Sequence, residues 1–82
     1  MDQNVFLENV RRQFDETDPS FINMETNFCD VDEWCSLIGL ALMAMVKDQY
    51  GVKLSLFQLK SVKSVNDLYN IVTTQINLPI ND

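Results

Sequence analysis

Apolar positions recur along this chain with helical spacing. Phe6, Val10 and Phe14 fall at i, i+4 and i+8, with Leu7 beside them, so one stripe of a helix over about Gln3–Phe14 is apolar. Asp2 stands where an N-cap belongs. A second helix is expected over about Ser36–Tyr50. It contains the ten-residue run Leu37–Val46 and is apolar nearly all round, which predicts the central, most buried element. Gly51 follows at the left-handed C-terminal position, and Gly39, Ala41 and Ala44 are small enough to let neighbours come close. Ser55 and Gln58 have capping-box spacing and open a short third helix. Ser64 and Asp67 repeat that signal with Asp in place of Glu or Gln. They open a last helix whose apolar face is Val65, Leu68, Ile71, Val72 and Ile76, with Pro79 just beyond its end.

Between the first two helices lies a connection from Asp15 to Trp34. Loops longer than about 12–15 residues are uncommon in compact domains unless they are functional or partly ordered. This one carries Phe21, Ile22, Met24, Phe28 and Val31, which predicts that it packs over the core. Within it, Asp18-Pro19 reads as a capped single helical turn. The expected fold is all-α, with three longer helices, one short helix and a long loop between the first and second. Phe6, Val10, Phe14, Leu42, Val46, Tyr50, Leu54, Leu68, Ile71 and Val72 are expected to share one core. Trp34 reads as a core anchor and Met43 and Met45 as packing.

Composition narrows this picture. With 82 residues, two glycines, two prolines and 46% hydrophobic residues, the chain is read as a single domain over 1–82 with few helix breakers. The net charge of −6 is uneven: seven acids and no base lie from Asp15 to Glu33, whereas four lysines meet three aspartates from Ser36 onward. Such a balance disfavours nucleic acid and anionic membranes, because phosphate recognition needs clustered Lys and Arg. The apolar run of the second helix is about half of the roughly 20 residues that span a bilayer, so no membrane span is expected. Two cysteines and no secretory leader point to free thiols in a reducing cytoplasm. The absence of His removes the commonest general base and metal ligand, so neither an enzyme nor a metal site is expected.

Chemistry enters at Trp34-Cys35-Ser36-Leu37. This stretch resembles the Asp-Ser-Leu of acyl carrier proteins, one variety of which reads Trp-Asp-Ser-Leu after an acidic loop similar to Asn27–Glu33. The likeness continues through Lys47–Leu54 at the end of the second helix, Ser55 at the third, and Lys63-Ser64-Val65-Asn66-Asp67-Leu68, which is similar to the family's Thr-Val-x-Asp-Leu. It covers most of the chain and rests on agreement of spacing at four places. The resemblance implies a monomeric four-helix bundle of the acyl carrier type. It implies that a phosphopantetheinyl transferase attaches 4′-phosphopantetheine from coenzyme A to Ser36. The thiol of that arm then holds acyl groups for acyl-transferring or condensing enzymes of fatty acid, polyketide or related lipid biosynthesis, with Leu37 and Leu40 as partner contacts. Two departures are plain: the family's Asp before the serine is Cys35, and its acids on the second helix are Ile38, Ala41 and Lys47. They keep a second reading open, a helical interaction module derived from a carrier and no longer modified. A bland role also stays open for Ser36, as a helix N-cap.

Overall fold

A computed structural model describes residues 2–77 of the chain. Four helices appear: α1 (Gln3–Arg11), α2 (Ser36–Tyr50), α3 (Leu56–Ser61) and α4 (Val65–Asn77). The described residues contain no strand, only an isolated antiparallel bridge between Asn27 and Ser64. The all-helical expectation therefore holds. Pro79 lies outside the described residues.

Capping residues set most of the boundaries. The Asp2 carboxylate accepts from the N–H of Asn4 at 2.8 Å and of Val5 at 3.4 Å, two of the free donors at the start of α1. Gly51 closes α2 with φ 69°, a left-handed conformation that costs a glycine little. At α3 the reciprocal capping box is complete: the Ser55 hydroxyl accepts from Gln58 N, and the Gln58 side chain accepts from Ser55 N, both at 3.0 Å. At α4 the Ser64 hydroxyl accepts from Asp67 N. The shorter Asp67 carboxylate still reaches back, accepting from the N–H groups of both Lys63 and Ser64. Asp is therefore an adequate partner here.

Helix α1 is shorter than its apolar stripe. It ends at Arg11, and the chain continues in turns held by Gln13 N to Val10 O and Phe14 N to Arg11 O. Those tighter bonds still aim Phe14 inward, so the stripe outlasts the helix. The core holds Phe6, Val10, Phe14, Leu42, Val46, Leu54, Leu68 and Val72 as expected, whereas Tyr50 and Ile71 are only half-buried at its margin. Helices α1, α2 and α4 pack pairwise around it. The aromatic ring of Phe6 sits 5.3 Å from that of Tyr69 and 5.7 Å from that of Tyr50. Helix α2 departs from expectation. Leu42, Met45 and Val46 face the core, but Leu37 and Leu40 are exposed, so this most apolar helix is not wholly buried.

The connection of residues 12–35 packs over the core through Ile22, Phe28 and Val31, all buried. Phe21 is a correction: it lies in the first of two short 3-10 turns, Pro19–Phe21, and is exposed, and Met24 is half-buried. The turn itself forms as expected, capped by Asp18, whose carboxylate accepts from the N–H and hydroxyl of Ser20 at 2.9 Å. These two bonds hold the Asp18 carboxyl below its usual pKa, against a smaller upward push from burial. Backbone bonds tie the connection to the α3–α4 junction: Phe28 N to Lys63 O, Val65 N to Thr26 O and Asn66 N to Met24 O. Arg11 ties its near end to α1, donating from Nε to Ile22 O at 2.8 Å and pairing with Glu8.

Candidate functional site

The start of α2 is held from the connection side by a stack of rings. Phe14 lies parallel to Phe28 at 6.4 Å between centroids, and Phe28 stacks on Trp34 at 4.9 Å. Trp34, half-buried, is thus an anchor packed against the core, and it fixes the backbone one residue before Cys35. Beside it, Glu33 closes the connection on itself. Its carboxylate accepts four hydrogen bonds, from the N–H groups of Asp15, Glu16 and Thr17 and from the Thr17 hydroxyl, at 2.8–3.0 Å. Partial withdrawal from water pushes the Glu33 carboxyl up, but the bonds from Thr17, Glu16 and Asp15 outweigh it and hold its pKa below the usual value. The residues leading into α2 are therefore fixed on two sides.

Helix α2 itself starts without a side-chain cap. Cys35 is the N-cap residue, in extended conformation, and its thiol makes no capping hydrogen bond. Ser36 is the first helical residue, so the bland N-cap role falls to Cys35 instead. The Ser36 side chain is exposed, and its hydroxyl has no hydrogen-bond partner among the described residues. No acid occupies the first turn of α2. The free N–H groups and the helix dipole at this end favour a nearby negative group such as a phosphodiester.

Ser36 lies on the rim of a cleft of about 680 Å³ whose walls come from α2, α3 and the residues before α2. Gly39 and Leu40 of α2 face Leu56 and Leu59 of α3 across it, and Val62 and Phe28 complete its apolar wall. At Gly39 a Cβ would sit 3.0 Å from Leu59 Cδ2, so the glycine leaves room for the Leu59 side chain of α3 against α2. The two free thiols, Cys29 and Cys35, also line this cleft, and among the described residues its charged lining residue is Lys60.

Among the residues singled out in the sequence, Ser36 and Leu40 meet at this cleft. Leu37 does not line it and points into solvent. The α3 wall is not among the residues that sequence reasoning singles out. Its signal is present as Leu56, Leu59 and Val62 at three-residue intervals, one face of a short helix, but a six-residue element gives periodicity little length to register. No group of His, Cys, Asp or Glu among the described residues is arranged to hold a metal. No described helix is long and apolar enough to cross a membrane. No known protein family's model and no curated protein matches the chain.

Proposed function

We propose that this protein is an acyl carrier of the phosphopantetheine-bearing type. The observation that carries the reading is the state of Ser36: an exposed, unbonded hydroxyl on the first residue of a 15-residue helix, at the rim of an apolar cleft. A group carrier needs one reachable attachment point on a fixed scaffold, while the attached arm supplies the chemistry. The residues fit that arm. Ser36 offers the oxygen for a phosphodiester, and the uncapped start of α2 offers N–H donors and positive potential to its phosphate. The flanking cleft offers apolar walls to the carried group, through Leu40, Leu56 and Leu59. When attached, the arm contributes a thiol that holds an acyl group as a thioester. In this reading the chain performs no catalysis; a phosphopantetheinyl transferase and acyl-transferring or condensing enzymes of fatty acid, polyketide or related lipid biosynthesis act on it. The ring stack and the Glu33 bonds hold Ser36 at a constant position for them.

Incubation with coenzyme A and a broad-specificity transferase, followed by intact-mass measurement, tests this. One phosphopantetheine increment is expected on the wild type and none on Ser36→Ala. If the wild type stays unmodified where an ordinary carrier is modified, or if Ser36→Ala takes the increment, the carrier reading fails. Cys35 favours the second reading, an unmodified interaction module of carrier ancestry. The acid that carriers place before the serine would cap α2, and here that position makes no cap.

A further inference from the structure

Three lysines of this chain fall in a stretch free of acids, and that stretch also carries two exposed apolar side chains, Leu56 and Phe57. Between Asp48 and Asp67 the sequence holds Lys53, Lys60 and Lys63 and no acid. All three lysines are exposed, and no ion pair engages them among the described residues. They bracket and occupy α3: Lys53 precedes its cap Ser55, Lys60 lies in its last turn, and Lys63 follows its C-cap Val62. The same helix presents Leu56 and Phe57, 57% and 84% exposed. Leu56, Lys60 and Leu40 of α2 line one cleft, and Phe57 adjoins it in sequence. A single exposed phenylalanine is ordinary, but Phe57 beside the exposed Leu56, with Leu56 and Leu40 on one cleft, makes a group of apolar side chains of the kind that marks an interaction surface. The bonding of α3 explains its conformation through the Ser55–Gln58 box, and Leu59 and Val62 supply its inward contacts, so Phe57 is not needed to hold the helix in place.

We infer that the α3 face, centred on Phe57 and rimmed by Lys53, Lys60 and Lys63, is a docking surface for a partner protein that presents an apolar surface rimmed by carboxylates. Charge complementarity selects this partner. An apolar contact with a cationic rim attracts acids and repels bases, while the acidic connection of residues 15–33 would attract the opposite class. The protein's net charge of −6 opposes approach to an anionic membrane, which makes a protein the fitting occupant rather than a lipid surface. The surface belongs to the unmodified chain and does not depend on Ser36 carrying a group, so it stands or falls separately from the carrier reading.

The test uses the full chain, isotope-labelled and unmodified, with two amphipathic helical peptides of about 18 residues that share one leucine stripe. One peptide has a glutamate polar face and the other a lysine polar face. The glutamate peptide is expected to shift the amides of residues 53–63 and to bind about tenfold tighter than the lysine peptide, with an affinity that falls as salt rises. Phe57→Ser should abolish the shifts with an unchanged melting temperature, because the side chain makes little contact in the free protein. Lys53→Glu, Lys60→Glu and Lys63→Glu together should invert the preference between the two peptides. Equal or tighter binding of the lysine peptide, shifts confined to residues 15–33, or no shift with either peptide would overturn the inference. So would anionic phospholipid vesicles that broaden the α3 resonances when neither peptide perturbs them, an outcome that would assign the face to a membrane.

Discussion

The connection of residues 12–35 and the α2–α3 face treat their side chains in opposite ways. In the connection, short polar residues are bonded to backbone: Glu33 to Asp15, Glu16 and Thr17, Asp18 to Ser20, and Thr26 to Asn23. Of its large residues, Ile22 and Phe28 are fully buried or nearly so and only Phe21 is left in solvent. On the α2–α3 face, two regular helices leave a serine unbonded, a thiol without a capping bond, and Leu40, Leu56 and Phe57 in solvent. The irregular segment is thus the closed scaffold and the regular one is the open surface. If Ser36 is the attachment point proposed above, the site sits on a helix and the loop is its support, the reverse of the usual arrangement. Two helices with one face unpartnered and a reachable hydroxyl are what remains after the connection has met its own needs.

The comparison breaks first at its aromatic residues. Phe28, 2% exposed and stacked between Phe14 and Trp34, is expected to cost about 3–5 kcal/mol on replacement by Ala. Phe57→Ala, the same change on the open face, should shift stability by no more than about 0.5 kcal/mol. For a chain of this length the whole stability is about 4–12 kcal/mol, so Phe28→Ala approaches the limit of folding. Urea midpoints of the two variants measure the difference. Similar losses in both would mean that the connection is no more part of the core than the α3 surface is.

Much of this architecture is legible in the residues alone. Asp2, Gly51, Ser55–Gln58 and Ser64–Asp67 each mark a helix boundary, because capping is local chemistry between residues a few positions apart. The apolar residues of the connection announce that it packs, yet not which of them do. Phe21 and Phe28 look alike in sequence, and only the backbone bonds of residues 24, 26 and 28 to the α3–α4 junction decide that Phe28 turns inward. In the sequence Glu33 is one charge among the seven of its segment. Its partners are 16–18 residues away, a separation at which no spacing rule operates. For the same reason the apolar run of α2 overstates its burial. Periodicity reports where a helix could be covered, and α3 with its six residues covers only part of it.

Glu33 gives a smaller and pH-dependent effect. Its folded pKa lies below the ordinary carboxylate value of 4.5. The ionised form is therefore favoured by folding, and the stabilisation is complete above that value and disappears as pH falls through the folded pKa. Glu33→Gln keeps one acceptor oxygen and removes the charge, so it should be less stable than wild type at neutral pH, with the gap closing as acid protonates the wild-type carboxylate. The difference between the two chains isolates Glu33 from Asp18, whose carboxyl is also depressed. Amide exchange at Asp15, Glu16 and Thr17 should quicken in the variant. A gap that persists undiminished in acid would show that the four hydrogen bonds contribute nothing through ionisation.

The smallest effect expected, and the one that joins the two regions, is at Cys35. Cys35 has the extended backbone of an N-cap, and its carbonyl accepts from Gly39 N, but its side chain makes no capping bond, while Glu33, two residues earlier, satisfies three N–H groups of the connection. A carboxylate at position 35 would accept from the free N–H groups of α2 and set its charge against the positive end of the helix. Cys35→Asp should therefore stabilise the fold by about 1 kcal/mol, read as a higher urea midpoint. On the carrier reading proposed above, it would also bring the junction to the Asp-Ser-Leu that carriers show, so the initial rate of phosphopantetheine transfer to Ser36 should rise. The two readouts separate the roles of the position. A gain in stability without a gain in rate makes residue 35 a cap alone. A gain in both makes the thiol a brake on modification. No change in either means that backbone and water already satisfy the start of α2, and that the open end of this helix is less open than its missing cap implies.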